Sequence, residues 1–295
     1  MKKRAKRSGK KRRVKIVVSA YSGFCFGVRR ALNMAKKALK GRSEIYSLGP
    51  IIHNPQVVEK FSKKGLKIVK GADEIPLSSG SKAVLLIPSH GISPDVLRNK
   101  SVTFIDTTCP LVGRVQRIVK DLKEKGYFII IVGDKRHPEV RGLVGIAGKM
   151  SRVLKNKEEA VRVNLRSKKI ALISQTTATT KNFKEILYEI AKKDFVELIS
   201  FNTVCKNTID RQKEARRIAK KVESMVVIGG RNSANTTRLA EVCRRINPRT
   251  YHVESKSDLN SAIFSNASSI GIATGASTPP AAIEEIIKEL EKRNE

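Results

Sequence analysis

The chain has no tryptophan, and with 5 tyrosines and 9 phenylalanines it is only 5% aromatic. That leaves few rings for stacking bases, and no nucleic-acid recognition motif is present, which argues against a nucleic-acid-binding protein. Long apolar runs are also missing. The longest, such as 127–132, fall far short of the ~18 residues that span a membrane. No apolar stretch follows the basic N-terminus, so a secretory signal is not expected. The same segment is poor in serine and lacks the pattern of an organelle transit peptide, and the expected location is cytoplasmic. Cysteines number four, at 25, 109, 205 and 243, too few and too scattered for a disulfide scaffold. None forms the C-x(2–4)-C pair of ordinary structural zinc sites. Acids are scarce as well, 27 against 60 lysines and arginines, for a net charge of +33.

What is present is a chain of 295 residues, 40% hydrophobic, enough to bury one sizeable core or several small ones. Residues 1–13 carry nine cations and no acid, yet the remaining body is strongly basic too. Such a surface attracts polyanions, whether nucleic acid, acidic proteins or phosphorylated metabolites. Apolar, β-branched runs alternate with helical patterns throughout, which reads as α/β with parallel sheets.

The alternation repeats three times. Predicted strands at 14–20, 102–105 and 195–200 lead to Cys25, Cys109 and Cys205. Helical patterns follow at 28–39, 112–123 and 209–222. Each is succeeded by a strand ending in glycine, at Gly49, Gly133 and Gly229, 24 residues after its cysteine in all three cases. Polar clusters come next: His53-Asn54, His137-Pro138-Glu139, and Asn232-Ser233-Ala234-Asn235-Thr236. A further strand closes each unit before Ser89-His90-Gly91, Gln175-Thr176-Thr177 or Gly275-Ala276-Ser277. The expected organisation is a basic tail (1–13) and three small α/β modules (14–108, 109–204, 205–295) around a pseudo-threefold axis.

A lone cysteine in a strand-to-helix turn is commonly buried filler. Three in register, one per module, converge at the centre of such an arrangement. Three thiolates suit zinc or an iron–sulfur cluster. A cubane held by three cysteines has one iron without a protein thiolate, open to a substrate as a Lewis acid. Cys243 has no counterpart in the other units and reads as core, as does His252 within a strand pattern. His53, His90 and His137 fall in the polar turns beyond the strand ends, where open α/β sheets bind ligands. Ser233, Asn235 and Ser277 precede predicted helices, and helix N-termini with such side chains donate to phosphate oxygens.

These motifs together resemble the 4-hydroxy-3-methylbut-2-enyl diphosphate reductase family, the IspH/LytB iron–sulfur enzymes. The likeness runs from about residue 14 to the end. It is carried by Gly23-Phe24-Cys25-Phe26-Gly27-Val28, His53-Asn54, Ser89-His90-Gly91, Asp106-Thr107-Thr108-Cys109-Pro110 and His137-Pro138-Glu139-Val140. Gln175-Thr176-Thr177, Cys205 before Arg211-Gln212, Asn232-Ser233-Ala234-Asn235 and Gly275-Ala276-Ser277 complete it. The resemblance implies a 4Fe–4S cluster on Cys25, Cys109 and Cys205. It implies a diphosphate site of His53, His90, Ser233, Asn235 and Ser277 with His137 nearby, counts Thr177 and Asn207 among the substrate-binding residues, and gives the substrate hydroxyl and its proton relay to Glu139 and Thr176. The implied reaction is a two-electron reductive dehydroxylation, the last step of the non-mevalonate isoprenoid pathway, yielding isopentenyl and dimethylallyl diphosphates. Electrons are expected from an acidic ferredoxin- or flavodoxin-like carrier. One departure is Ala234, where the family commonly has a second serine. The basic tail has no family role. Metal content separates the cluster from a zinc-bearing structural repeat protein.

Overall fold

The computed structural model describes residues 14–41, 43–76, 83–97, 102–165, 169–259 and 267–292. The basic tail, 1–13, lies outside them. The first unit comprises α1 (Phe26–Ala38), β2 (Glu44–Leu48), α2 (Pro55–Ser62), β3 (Leu66–Val69), β4 (Ala83–Ile87) and β5 (Thr103–Asp106). The second has α3 (Pro110–Glu124), β6 (Phe128–Val132), α4 (Pro138–Ala147), β7 (Ser151–Leu154), α5 (Lys157–Arg162), β8 (Lys169–Ser174), α6 (Thr180–Ala191) and β9 (Glu197–Ser200). The third has α7 (Lys206–Ala219), β10 (Ser224–Ile228), α8 (Ala234–Arg244), β11 (Thr250–Val253), β12 (Ser269–Thr274) and α9 (Pro280–Lys292). A strand β1 (Lys15–Val18) precedes them all.

The strands form three four-stranded parallel sheets of like order, β3-β2-β4-β5, β7-β6-β8-β9 and β11-β10-β12-β1. Helices cover both faces of the second and third sheets, whereas the first has α1 and α2 on one face and the short turns around Ala72 and Val96 on the other. The central strands therefore read as continuous apolar runs, such as Phe-Ile-Ile-Ile-Val in β6, rather than as alternation. Two apolar clusters flank every sheet. In the second, Ile129 and Ile131 face α3 and α4 through Val119 and Leu143, while Ile130 and Val132 face α6 through Phe183 and Ile186.

The sheets depart from the sequence reading at one strand. The 14–20 run was expected to head the first module, but β1 pairs with β12 of the third, Lys15 opposite Ser269. Its counterparts β5 and β9 also end their sheets and lead into a cysteine turn. The N-terminal strand thus supplies the third sheet's missing edge. The three cysteine-linked helices also start earlier than the apolar patterns suggest. α1, α3 and α7 begin at the residue directly after each cysteine.

Candidate active site

Each cysteine is the N-cap of its helix. Proline at the first helical position after Cys109 fixes the start of α3, and the Cys25 sulfur accepts from Val28 N at 3.5 Å. Helix N-termini carry partial positive charge and favour a thiolate. At Cys109 burial pushes the thiol's pKa up, against the backbone N–H groups of Leu111 and Val112, which pull it down.

The three cysteines line one cavity of about 120 Å³ between the modules. Every other residue the sequence proposes for the site also lines it: Glu139, Thr176, His53, His90, His137, Thr177, Asn207, Ser233, Asn235 and Ser277. Cys243 is elsewhere, fully buried in α8, with its thiol pushed up to about 12 by burial. His252 lies in β11 and shares a 2.9 Å hydrogen bond with Gly229 O.

The donor set suits a soft multinuclear centre. A Cβ at Gly27 would stand 2.5 Å from Cys109 Sγ, so only glycine leaves this sulfur its place beside α1. Among the described residues no three His, Cys, Asp or Glu side chains are placed to hold one metal ion. Three cysteines, each at a helix N-terminus and lining one cavity, are soft donors of the kind that zinc or an iron–sulfur centre takes.

In the same cavity three imidazoles cluster, His53 stacked on His90 and tilted against His137. His53 lies 4.9 Å from His90 and 5.1 Å from His137, ring centre to ring centre. Burial lowers the pKa of His53. Burial, reinforced by repulsion from the other two rings, takes His90 to about 3. Burial and His53 take His137 to about 4, with Asp134 opposing. The empty site therefore holds neutral rings. His137 caps α4, its Nδ1 accepting from Glu139 N at 3.2 Å, so Nε2 carries the proton. His53 Nε2, His90 Nδ1 and Asn235 Nδ2 are buried without a hydrogen-bond partner among the described residues. Buried polar atoms are normally paired, and these three share a cavity. Unspent polar groups of this kind suit an anion rich in acceptor oxygens.

Several other expected ligands are already engaged. Ser277 Oγ donates to His53 O at 3.0 Å, and Asn54 Nδ2 donates to Ser277 O at 3.0 Å, stapling first module to third. Ser233 Oγ accepts from Thr236 N at the start of α8. Thr177 Oγ1 accepts from Gln175 Nε2, and Asn207 Oδ1 from Arg211 Nε. A basic vestibule of about 560 Å³, bounded by Arg136, Lys155, Arg231 and Arg238, adjoins the cavity and shares His53, His137, Thr177 and Ala234 with it. A larger groove of about 810 Å³ along β7 contains none of the expected site residues.

Glu139 sits in the first turn of α4, 2% exposed. Its Oε1 accepts from Thr176 N at 2.7 Å and its Oε2 from Thr176 Oγ1 at 2.8 Å. No cation faces it. Burial raises its pKa to about 7, outweighing the two Thr176 hydrogen bonds. A carboxyl poised near neutrality in a cleft is suited to proton transfer.

The LytB protein family matches residues 16–291. A Geobacter metallireducens protein named 4-hydroxy-3-methylbut-2-enyl diphosphate reductase is 41% identical over 280 residues, 94% of this chain and 97% of that one. A Thermoanaerobacter protein of the same name is 43% identical over 282 residues, 94% and 96% of the two chains. A solved structure of this reductase, described as the terminal enzyme of the non-mevalonate pathway, superposes with TM-score 0.65 at 37% identity, covering 95% of this chain and 99% of that one. The Plasmodium falciparum reductase superposes with TM-score 0.87 at 26% identity, covering 93% and 87%. With a family match over nearly the whole chain and relatives near 40% identity, the chain belongs to the IspH/LytB family.

Proposed function

We propose that this chain is a 4-hydroxy-3-methylbut-2-enyl diphosphate reductase, removing the allylic hydroxyl as water with uptake of two electrons and two protons. The observation that carries the reading is one cavity in which three helix-capping cysteines meet a buried Glu139–Thr176 pair and three clustered histidines. A 4Fe–4S cluster on Cys25, Cys109 and Cys205 would supply the electrons singly and, at its iron without a cysteine, a Lewis acid for the hydroxyl.

The chain's own residues supply the rest. His53, His90 and Asn235 offer unspent polar atoms to the diphosphate, joined by His137, whose Nε2–H is free of the α4 cap. The approaching anion favours protonation of these imidazoles, and each added charge strengthens the hold. Thr176 fixes the Glu139 carboxyl through both oxygens, and Glu139 holds the proton that the departing hydroxyl needs. Ser233, Ser277, Thr177 and Asn207 shape the wall around these groups. Where the family commonly places serine, Ala234 leaves a backbone N–H as the available donor.

The electron donor fits the same reading. A carrier with an acidic surface is drawn to a protein of charge +33. The absence, among the described residues, of any helix able to cross a membrane accords with work on a water-soluble substrate. The test is anaerobic purification followed by iron and acid-labile sulfide analysis, then product assay with a chemical reductant. Iron and sulfide in equal amounts, and formation of both five-carbon diphosphates, are expected. Zinc without sulfide, or no turnover by cluster-loaded protein, would overturn the proposal.

A further inference from the structure

Arg211, on the inner face of α7, is 4% exposed and has no carboxylate partner among the described residues. Its donors go to neutral acceptors: Nε to Asn207 Oδ1 at 2.8 Å, Nη1 to Thr274 O at 3.1 Å and Thr274 Oγ1 at 3.3 Å, and Nη2 to Gly23 O at 2.6 Å. A guanidinium does not shed its proton. Burying it with hydrogen bonds alone leaves a full positive charge in a poorly polarisable interior, an expensive arrangement unless an anion lies close. The groups that face it electrostatically are Cys25 and Cys205, which favour its charge when they are thiolates, and Arg29, which opposes it. Its contacts span the same two turns. Gly23 stands two residues before Cys25, and Cys205 caps the helix that carries Arg211.

We infer that Arg211 is a positioning residue for the thiolate-bound centre: a permanent internal cation that offsets the negative charge of that centre and ties the Cys25 turn to the Cys205 helix. This rests on the cluster reading above. Reduction adds an electron to the centre, and a fixed nearby cation favours the reduced form, so removing the charge should make reduction harder. A purely structural role would require the hydrogen bonds and not the charge.

The test compares wild type, Arg211→Gln and Arg211→Lys as anaerobic holoproteins, by spectroelectrochemical midpoint potential and by the rate of iron loss to a chelator. Arg211→Gln should shift the midpoint to more negative potential and release iron several-fold faster. Arg211→Lys should stay near the wild-type midpoint at neutral pH. As pH rises and the buried ammonium deprotonates, its midpoint should fall below wild type, a comparison that stands even should Arg211→Gln not fold. Wild type and Gln variant with equal midpoints, or wild-type and Lys curves that stay parallel to alkaline pH, overturn the role of the charge. Wild-type protein without iron and sulfide fails at the earlier step and removes the cluster reading itself.

Discussion

Glu139 is buried where an ionised carboxylate is poorly tolerated, and that is what keeps a proton on it near neutrality. An acid whose pKa is raised to about 7 is increasingly deprotonated as pH climbs past that value. Turnover under saturating reductant should accordingly decline through about pH 7, and Glu139→Gln should erase that limb. The glutamine keeps the shape but has no proton to give. Turnover should fall by roughly 10²-fold or more, the scale of lost general acid catalysis, with iron content unchanged and pyrophosphate bound as well or better. The histidines titrate with the opposite sense. With pKa values of about 3 for His90 and about 4 for His137, they are neutral when the site is empty and gain protons as an anion arrives. Pyrophosphate binding measured calorimetrically at pH 7 in buffers of different ionisation heat should show net proton uptake, and affinity should rise as pH falls. His53→Ala should weaken that binding more than it slows turnover. The motif residues were legible in the sequence because they fall in register. Arg211 as a buried cation was not. It lies in a helix reading Lys-Asn-Thr-Ile-Asp-Arg-Gln-Lys-Glu-Ala-Arg-Arg, where nothing local distinguishes the cation packed inward from those left in water.

At the level of elements, caps explain both what could be read and what was displaced. Asn54, Ser233 and Thr179 each accept from a backbone N–H in the first turn of their helix, a short-range signal that sequence carries well. Cysteine is not a usual cap, so the helices after Cys25, Cys109 and Cys205 were expected some residues late. Placing the sulfur on the first turn also sets tight limits beside it. Gly27→Ala would drive a methyl to 2.5 Å from Cys109 Sγ and 3.0 Å from its Cβ. The expected result is protein with wild-type circular dichroism and little bound iron. Full iron content in that variant would mean that α1 and Cys109 separate without cost.

For the molecule as a whole, three α/β modules with parallel sheets were within reach of periodicity, because each strand and crossover is local, while the strand order within each sheet came from the structure. The partner of β1 was not, since nothing in four residues says which of three like edges they complete. Deleting residues 1–13 removes no described residue, whereas deleting 1–18 bares the edge of β12 and strips Val14, Ile16 and Val17 from the third module's cores. The longer deletion should lower the urea midpoint sharply or yield aggregates, as exposed strand edges tend to do. Equal midpoints for the two truncations would show that β1 contributes nothing. Charge acts at this scale too. Turnover limited by encounter with an acidic carrier should fall as salt approaches ~0.15 M, where the screening length is about 8 Å. Turnover with a small chemical reductant should respond less.

The closure by β1 also orders events at the ribosome. Lys15 emerges 254 residues ahead of its partner Ser269. The first two sheets can pair as they appear. β1 must wait, unpaired and apolar, through most of synthesis. Cys25 follows it by a few residues, and its N–H donates to Ala276 O, so the turn that carries this proposed ligand gains its anchor only when β12 is released, by which time Cys109 and Cys205 are already present. Under the proposed cluster reading, insertion of metal and sulfide should therefore await the finished chain, and a ribosome stalled before residue 269 should yield a nascent protein with two formed sheets and no competent centre.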